Sequence, residues 1–325
     1  MLYPLIFHPI FKERVWGGRN LERLYEKDLP PDRPIGESWE ISDRPEGISE
    51  IANGPLAGKT LRWLMEEHRA ELLGAFSSPS RFPLLIKILD AQETLSVQVH
   101  PPPEVAGKLG GEPKTEMWYI ASATPDAELW AGLNQGVTRS EFARKIHDGT
   151  VAECIHRFHA KAGDALFLPS GRLHAIGGGN VIFEIQQNSD TTYRVFDWNR
   201  PGLDGKPRQL HVAEALASIN FNDFEPAPIR SRYSRNPNMK VRYLVDDSLF
   251  RVDACQVRRS QRFYLHSESV QILAVLAGRL KLSGAGQELL LTPGRFALLP
   301  ASQNRTALEA ETQVEFLHVQ AGQMS

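Results

Sequence analysis

Short apolar runs with two-residue alternation recur along the chain between turns rich in Gly, Pro and Asp. This pattern predicts strands over Leu84–Leu89, Leu95–His100, Glu116–Ala121, Asp164–Leu168, Val181–Gln186 and Tyr193–Trp198, with a second set after Phe250. Helical periodicity is sparse. Thr60–Phe76 places Leu61, Leu64, Met65, His68, Leu72 and Leu73 on one face, and Thr138-Arg-Ser-Glu141 reads as a capping box ahead of Phe142 and Ile146, with Gly149 closing that helix. Val212–Ile219 is a third, shorter helix candidate.

One turn–strand–turn shape occurs twice, as Gly163-Asp-Ala-Leu-Phe-Leu-Pro169 and as Gly294-Arg-Phe-Ala-Leu-Leu-Pro300. Each copy reads as the descending strand of a small β-barrel, so the fold expected is mainly β with two barrels and a few short helices. Alignment of the two prolines sets His174 opposite Arg305, which leaves the second copy without the metal-type side chain. The polar, Pro-rich stretch Phe224–Pro237 is the natural linker. The division expected is a catalytic domain over residues 1–228, which includes N-terminal strands and helices, and a metal-free β domain over residues 229–325.

Composition narrows the function classes. A formal charge of −2 and a pI near 6.6 over 325 residues provide no field that would recruit a polyanion, so nucleic acid is not an expected partner. The local basic stretch Arg230, Arg232, Arg235, Lys240 and Arg242 is broken by Pro237 and reads as a solvated linker. Cys154 and Cys255 are the only cysteines and form no C-x-x-C pair, so buried thiols are expected rather than a disulfide or a thiolate metal site. Pro4, His8 and Pro9 interrupt the N-terminal apolar run, and no segment reaches eighteen apolar residues; the expectation is a cytoplasmic protein without a membrane partner, monomeric or a weak homo-oligomer.

Gln98 and His100 stand two apart on an expected strand and therefore share a face. Alone, Gln-Val-His carries no chemistry. Glu116 opens the strand after the Pro101–Pro113 loop, and His174 follows the Pro169-Ser-Gly turn, so the spacing makes these four plausible neighbours. Two imidazoles with a carboxylate suit zinc and similar divalent ions, and a glutamine carbonyl adds a neutral oxygen. Gly177–Gly179 fits no phosphate-loop spacing and reads as a loose turn.

The stretches Phe11-Lys-Glu-Arg-Val-Trp-Gly-Gly18, Gly36-Glu-Ser-Trp-Glu-Ile-Ser42, Leu95-Ser-Val-Gln-Val-His-Pro101, Lys114-Thr-Glu-Met-Trp-Tyr119, Pro169-Ser-Gly-Arg-Leu-His-Ala175 and Glu184-Ile-Gln-Gln-Asn-Ser-Asp-Thr-Thr-Tyr-Arg194 arrive in one order. Together they resemble the type I phosphomannose isomerases, in their short bacterial form. The resemblance implies cupin-like jelly-roll barrels and an aldose–ketose isomerase that interconverts mannose 6-phosphate and fructose 6-phosphate through a cis-enediol. It implies one Zn2+ per chain, with Gln98, His100, Glu116 and His174 as its ligands. It also marks Ser96, Lys114, Asp190 and Arg194 as active-site positions: Lys114, Arg194 and Asp190 as catalytic, and Ser96, Lys114 and Arg194 as contacts to a small phosphorylated sugar. Within that reading Lys114 is a proton carrier beside the metal, Arg194 an anion holder, and Asp190 a group that orients Arg194 or another polar partner. Ser96 is expected on the strand face opposite Gln98. Arg172 and Leu173 depart from the small and β-branched residues the family leads one to expect before the last ligand, which bears on the pocket rim.

Three other readings remain. His100, Glu116 and His174 could form the two-His-one-carboxylate face of an iron oxygenase, the chain could act on another sugar phosphate, or it could be a non-catalytic sugar-phosphate sensor. The sensor would be expected to have lost a ligand or Arg194, and neither is lost.

Overall fold

The computed structural model describes residues 2–74, 79–235, 239–266 and 268–322. The first half contributes β1 (Ile10–Gly18), β2 (Ile35–Ile41), the short pair β3 (Asp43–Arg44) and β4 (Gly47–Ile48), β5 (Leu84–Ala91), β6 (Val97–Val99), β7 (Glu116–Ala123), β8 (Glu128–Leu133), β9 (Ile155–His159), β10 (Ala165–Leu168), β11 (His174–Ile176), β12 (Asn180–Gln187) and β13 (Tyr193–Phe196). The second half contributes β14 (Met239–Asp246), β15 (Phe250–Val257), β16 (Arg262–Leu265), β17 (Gln271–Ala277), β18 (Leu280–Gly284), β19 (Gln287–Leu291), β20 (Phe296–Leu299), β21 (Thr306–Ala310) and β22 (Val314–Ala321). The helices are α1 (Asn20–Tyr25), α2 (Leu61–Glu67), α3 (Arg69–Leu73), α4 (Pro103–Ala106), α5 (Arg139–His147) and α6 (Val212–Ser218). None of the described helices is long and apolar enough to cross a membrane.

Each half is a pair of antiparallel sheets. In the first, a six-stranded sheet of order β1-β2-β5-β12-β7-β10 faces a five-stranded sheet of order β13-β6-β11-β8-β9. In the second, β14-β15-β22-β17-β20 faces β16-β21-β18-β19. Among the described residues no sheet closes into a barrel, so the closed barrels expected from the repeat are replaced by open facing sheets. The repeat itself is real in shape: Ala165–Leu168 and Phe296–Leu299 are edge strands at corresponding places in the two larger sheets, each preceded by a glycine of positive φ, Gly163 and Gly294.

Layer order follows from which apolar faces share a core. Leu89, Trp118, Ile120, Leu129, Leu166, Ile176 and Ile182 fill the space between the two sheets of the first half. Leu273, Val275, Leu282, Leu291, Leu308 and Phe316 do the same in the second. A larger core lies between the halves, where Ile86, Ile88, Phe183 and Ile185 of the six-stranded sheet meet Val252, Ile272, Phe296 and Leu317. The strands β5 and β12 are consequently buried along almost their whole length, on both faces, which is why they read as near-continuous apolar runs. The N-terminal strands β1 and β2 extend the six-stranded sheet, while Leu5 bridges to Leu298 of the second half.

Two helical expectations hold closely and one divides. Thr138 caps α5 by accepting from Glu141 N at 3.2 Å, and Gly149 follows that helix with φ 74°. The helix expected from Thr60 onward is cut at His68, whose φ of −132° and ψ of 25° leave helical space and separate α2 from α3. The His68 ring sits 4.9 Å from that of Trp63, and its Nδ1 faces Glu71 Oε1 at 3.1 Å, so the break is held by its own side chain. Phe76 lies outside the described residues.

The linker is less solvated than its composition suggests. Ile229 N donates to Ala165 O, Tyr233 Oη donates to Glu315 Oε1 at 2.7 Å, and Arg242 donates to the Gly163 and Ile229 carbonyls. Pro237 lies outside the described residues.

Phe183 is fully buried where the halves meet, edge-on to Tyr25 at 5.6 Å and stacked on Phe296 at 5.4 Å. Phe183→Ala is expected to cost about 3–5 kcal/mol of stability. Chemical denaturation measures it, and a loss under 1 kcal/mol would count against a shared inter-half core.

Candidate metal centre and active-site cleft

Glu116, His100 and His174 offer ligand atoms that all lie within 4.8 Å of one another, and all three residues are buried. They come from both sheets of the first half. Gln98 lies on β6, His100 just beyond its end, and His174 opens β11, where it pairs directly with Gln98 across the ladder. Glu116 opens β7 in the facing sheet. His100 Nε2 is 3.4 Å from Glu116 Oε2, and His174 Nε2 is 3.5 Å from Glu116 Oε1.

Both imidazoles are oriented by backbone carbonyls. His100 Nδ1 lies 2.8 Å from Thr191 O, and His174 Nδ1 lies 2.9 Å from Arg172 O. A carbonyl only accepts, so Nδ1 carries the proton in each ring and Nε2 turns a lone pair toward Glu116. Burial, reinforced by the Lys114 charge, pushes the His100 pKa down to about 3, and burial lowers that of His174 against the opposing charge of Glu116. Both rings are therefore neutral near pH 7, the form that binds metal.

Glu116 is fully buried, and its carboxylate is met by ion-pair contacts alone. Burial acts to raise its pKa, but the Lys114 and His100 charges overcome this and hold it well below the ordinary carboxylate value. Lys114 Nζ stands 2.8 Å from Glu116 Oε2 and 3.2 Å from His100 Nε2. An ammonium thus lies where the carboxylate and an imidazole lone pair converge, which marks the position as one built for a cation.

Gln98 completes the ring, with its Nε2 3.3 Å from His174 Nε2 and its Oε1 accepting from Ser96 Oγ at 3.3 Å. A half-turn of the amide would bring Oε1 to His174 Nε2 and leave Nε2 to donate to the same hydroxyl, because a serine hydroxyl both donates and accepts. The donor set of two neutral imidazoles, one carboxylate and one amide oxygen therefore fits a divalent cation. Ser96 corrects an expectation here: two residues before Gln98 means the same face, and its hydroxyl reaches the amide rather than the opposite side of the strand.

Gln98 and Lys114 also line a cleft of about 410 Å³ that Arg14, Trp16, Glu37, Lys87, Glu184, Asp190, Arg194 and Arg208 help to form. Arg194 faces it from β13, paired with Gln98 across the ladder. Burial, then the nearby Arg208 charge, lowers the Arg194 pKa, and its Nε is buried without a hydrogen-bond partner. The Asp190 carboxylate lies 3.9 Å from Lys87 Nζ, and its charge also acts on Arg194.

Lys87, Glu184 and Glu37 are functional candidates that strand patterning passes over. Trp39, Lys87, Glu184 and Trp118 are successive register partners on β2, β5, β12 and β7, so they form one row across the sheet. Lys87 Nζ is 3.4 Å from Glu184 and 3.8 Å from Glu37, and Trp118 Nε1 donates to Glu184 Oε1 at 3.1 Å. Burial acts against the Lys87 charge, but Glu184 and Glu37 raise its pKa and keep it protonated. Burial and the Glu116 charge raise the pKa of Glu184, with Lys87 opposing. The signal available in the sequence is a single lysine and a single glutamate inside otherwise apolar runs, Leu84–Leu89 and Val181–Ile185.

The Gly177–Gly179 turn is tight rather than loose. A Cβ at Gly177 or Gly178 would strike the carbonyl oxygens of Glu128 or Gln92, and Gly179 has φ 83°. The run lets β11 turn into β12 against two other chain segments. Arg172 does not reach into the cleft: it forms a bidentate pair with Asp223, both bonds at 2.8 Å.

Comparison with known proteins adds an independent line. Residues 5–117 match the family model described as phosphomannose isomerase type I, catalytic domain. A probable mannose-6-phosphate isomerase of Bacillus subtilis (strain 168) is 36% identical over 324 residues, covering 98% of this chain and 100% of that protein. The mannose-6-phosphate isomerase of Streptococcus mutans is 34% identical over 322 residues, covering 98% and 99%. The solved structure of the mannose 6-phosphate isomerase from Bacillus subtilis superposes with a TM-score of 0.89 at 33% identity, covering 98% of this chain and 99% of that one.

Glu37 provides a pH test of the cleft's ion pairs. Burial would raise its pKa, but Lys87 and Arg14, with a hydrogen bond from Trp39, lower it from 4.5 to about 2. A depressed carboxylate contributes stability that is full above the unfolded value and lost as pH falls through the folded one. Glu37→Gln is therefore expected to be less stable than the parent above pH 4.5, with the difference shrinking between 4.5 and about 2. Denaturation midpoints across that range measure it; a pH-independent difference would contradict the ion-pair account.

Proposed function

This chain belongs to the type I phosphomannose isomerase family, and we propose that its cleft interconverts mannose 6-phosphate and fructose 6-phosphate through a cis-enediol, with one Zn2+ held by Gln98, His100, Glu116 and His174. The observation that carries this reading is the buried carboxylate of Glu116, which faces two imidazole lone pairs at the inner end of a charged cleft. Borderline nitrogen and oxygen donors favour zinc among common divalent ions. Zinc, when bound, supplies a Lewis acid that polarises the sugar's carbonyl and favours loss of the adjacent carbon-bound proton.

The chain's own groups do the rest. The reaction moves one proton between C2 and C1 and another between the two oxygens. Glu184 lines the cleft with a raised pKa, and it carries the proton between the carbons. Glu116 and His100 would hold the metal, and Lys114, which stands beside both, would then be free to exchange the proton of the sugar's oxygens. Arg194 remains charged at any working pH and neutralises the negative charge that builds on those oxygens. Ser96 steadies the Gln98 amide and contacts the sugar beside it. Asp190 acts through Lys87, which in turn holds Glu184.

Residues 1–228 form the catalytic unit in this reading, and residues 229–325 a metal-free unit, each related to a cupin-like jelly roll. Support comes from the paired sheets of each half and from the recurrence of the strand ending at Pro169 and Pro300. The second unit covers the outer face of the sheet that carries Lys87 and Glu184.

Turnover of mannose 6-phosphate, coupled to detection of fructose 6-phosphate, tests the proposal. Activity is expected in the zinc-loaded protein, its loss after chelation, and its return with zinc. Absence of turnover in the zinc-loaded protein would sink the reading, and turnover that survives complete chelation would remove the metal from it. Unchanged activity without oxygen would set aside the oxygenase alternative.

A further inference from the structure

A cluster at the outer end of the cleft takes no part in the steps above. The chain leaves β13 at Phe196 and returns at His211, whose backbone N donates to Arg194 O at 2.8 Å. Between them a small hairpin is closed by the Pro201–Pro207 bridge and by Gly202 N donating to Lys206 O at 2.7 Å. Gly202, Leu203, Asp204 and Arg208 of this hairpin form part of the cleft wall.

Asp197 sits at its base and is only 6% exposed. Its carboxylate accepts from Arg208 Nε and Nη2, both at 2.6 Å, and from Arg200 Nη2 at 3.0 Å. The fork fixes the Arg208 guanidinium while its Nη1 edge stays available, since five N–H groups are present and the carboxylate uses one side. The other carboxylate of the hairpin that reaches the cleft, Asp204, accepts from its own Lys206 N at 3.0 Å. Arg200 also faces Glu93 Oε2 at 3.5 Å, so Arg208 is held in a row of alternating charges with its Nη1 edge outside the fork.

The substrate has an anion to match it. An open-chain hexose 6-phosphate reacts at C1 and C2 and carries a dianion at its far end. Arg194 pairs with Gln98 across the ladder and so belongs to the reacting end. Lys114 contacts Glu116, Lys87 contacts Glu184, and Arg14 pairs with Glu37 beside Lys87, so these three cations belong with the carboxylates of the inner end, whereas the carboxylate that holds Arg208 lies at the base of the rim hairpin. Arg208 is the cation of the cleft wall that is both pre-oriented and placed on the rim. A side chain already fixed in its bound rotamer loses little freedom when an anion arrives.

We propose that Arg208, fixed by Asp197, grips the phosphate of the substrate and makes the enzyme select a phosphorylated over an unphosphorylated aldose. This rests on the isomerase reading above and adds to it the residue that recognises the phosphate. Inner and outer cations then have separate duties: Arg194 serves the reacting oxygens and Arg208 the anchor.

Arg208→Leu in the zinc-loaded full chain is expected to raise KM for mannose 6-phosphate by about tenfold or more while kcat changes by less than about threefold, as for loss of one charge-assisted contact. Competitive inhibition by inorganic phosphate is expected to weaken in parallel, and Arg208→Lys to recover part of both. An unchanged KM and inhibition constant, or a fall in kcat at constant KM, would overturn the proposal. If Arg208→Leu fails to retain zinc, the Arg208→Lys variant carries the same comparison, since a lysine keeps the charge but loses the fork. Calorimetric binding of inorganic phosphate reads the anchor without turnover. Weaker binding in the variant supports it, and equal binding contradicts it. Phosphate binding that depends on Arg208, in a protein that does not turn over mannose 6-phosphate, would count against the isomerase and not against the anchor.

Discussion

A fully buried, ionised carboxylate is the most demanding group in this molecule. Removal of such a charge from water costs several kcal/mol unless other charges and dipoles replace the solvent. Glu116 meets that demand by standing at the start of β7, where the facing sheet brings His100 and His174 to it and the loop before the strand brings Lys114. Each imidazole is fixed from behind, by the Thr191 and Arg172 carbonyls, and His174 further by the edge-on Trp118 ring at 5.4 Å. The two sheets must keep their spacing for any of this to hold, so the apolar layer between them and the polar centre at its end are parts of one construction. An ammonium balances the charge in this arrangement, and the same geometry accepts a divalent cation in its place.

The cleft extends this logic outward in steps. Its inner end holds the neutral imidazoles and Glu116, its flank the row Trp39, Lys87, Glu184 and Trp118, and its rim the Asp197 cluster. Lys87 lies within 4 Å of three carboxylates and so governs how much negative charge Glu184 bears. That row can exist in the middle of a sheet only because β5 and β12 are packed on both faces. The second half supplies one of those faces, through the core that Phe183 and Phe296 share. The second half thus bears on the cleft by burying the outer face of the sheet that carries Lys87 and Glu184.

Most of the strands are legible because they rest on local rules, whereas spacing makes the four candidate ligands only plausible neighbours and the family resemblance names them as a set. Short apolar runs between turn signals mark β5, β7, β10 and β12 within a residue or two, and capping chemistry marks α5. Where a single residue decides the outcome through tertiary contacts, local rules fail. His68 breaks a helix whose apolar period runs through it, since its ring finds Trp63 and its Nδ1 finds Glu71. Gly177–Gly179 looks loose in sequence and is tight in space, because its crowding comes from carbonyls of distant segments. Ser96 was placed on the wrong face although its two-residue separation from Gln98 already sets it beside the amide. Lys87 and Glu184 leave only the anomaly of one charge in an apolar run, and nothing in either run announces that they are register partners. Asp197, Arg200 and Arg208 meet through a hairpin whose closure depends on the Pro201–Pro207 bridge, and sequence spacing carries no trace of it.

The most direct test is to locate the metal by anomalous scattering from crystals of the zinc-loaded protein. One ion is expected at about 2.0–2.2 Å from His100 Nε2, His174 Nε2, a Glu116 oxygen and Gln98 Oε1. In the same crystals the Gln98 amide is expected to be turned so that Nε2 faces Ser96, with Lys114 Nζ displaced from Glu116 into the cleft. Zinc bound elsewhere, or Lys114 still paired with Glu116 in a zinc-loaded molecule that turns over mannose 6-phosphate, would contradict the account.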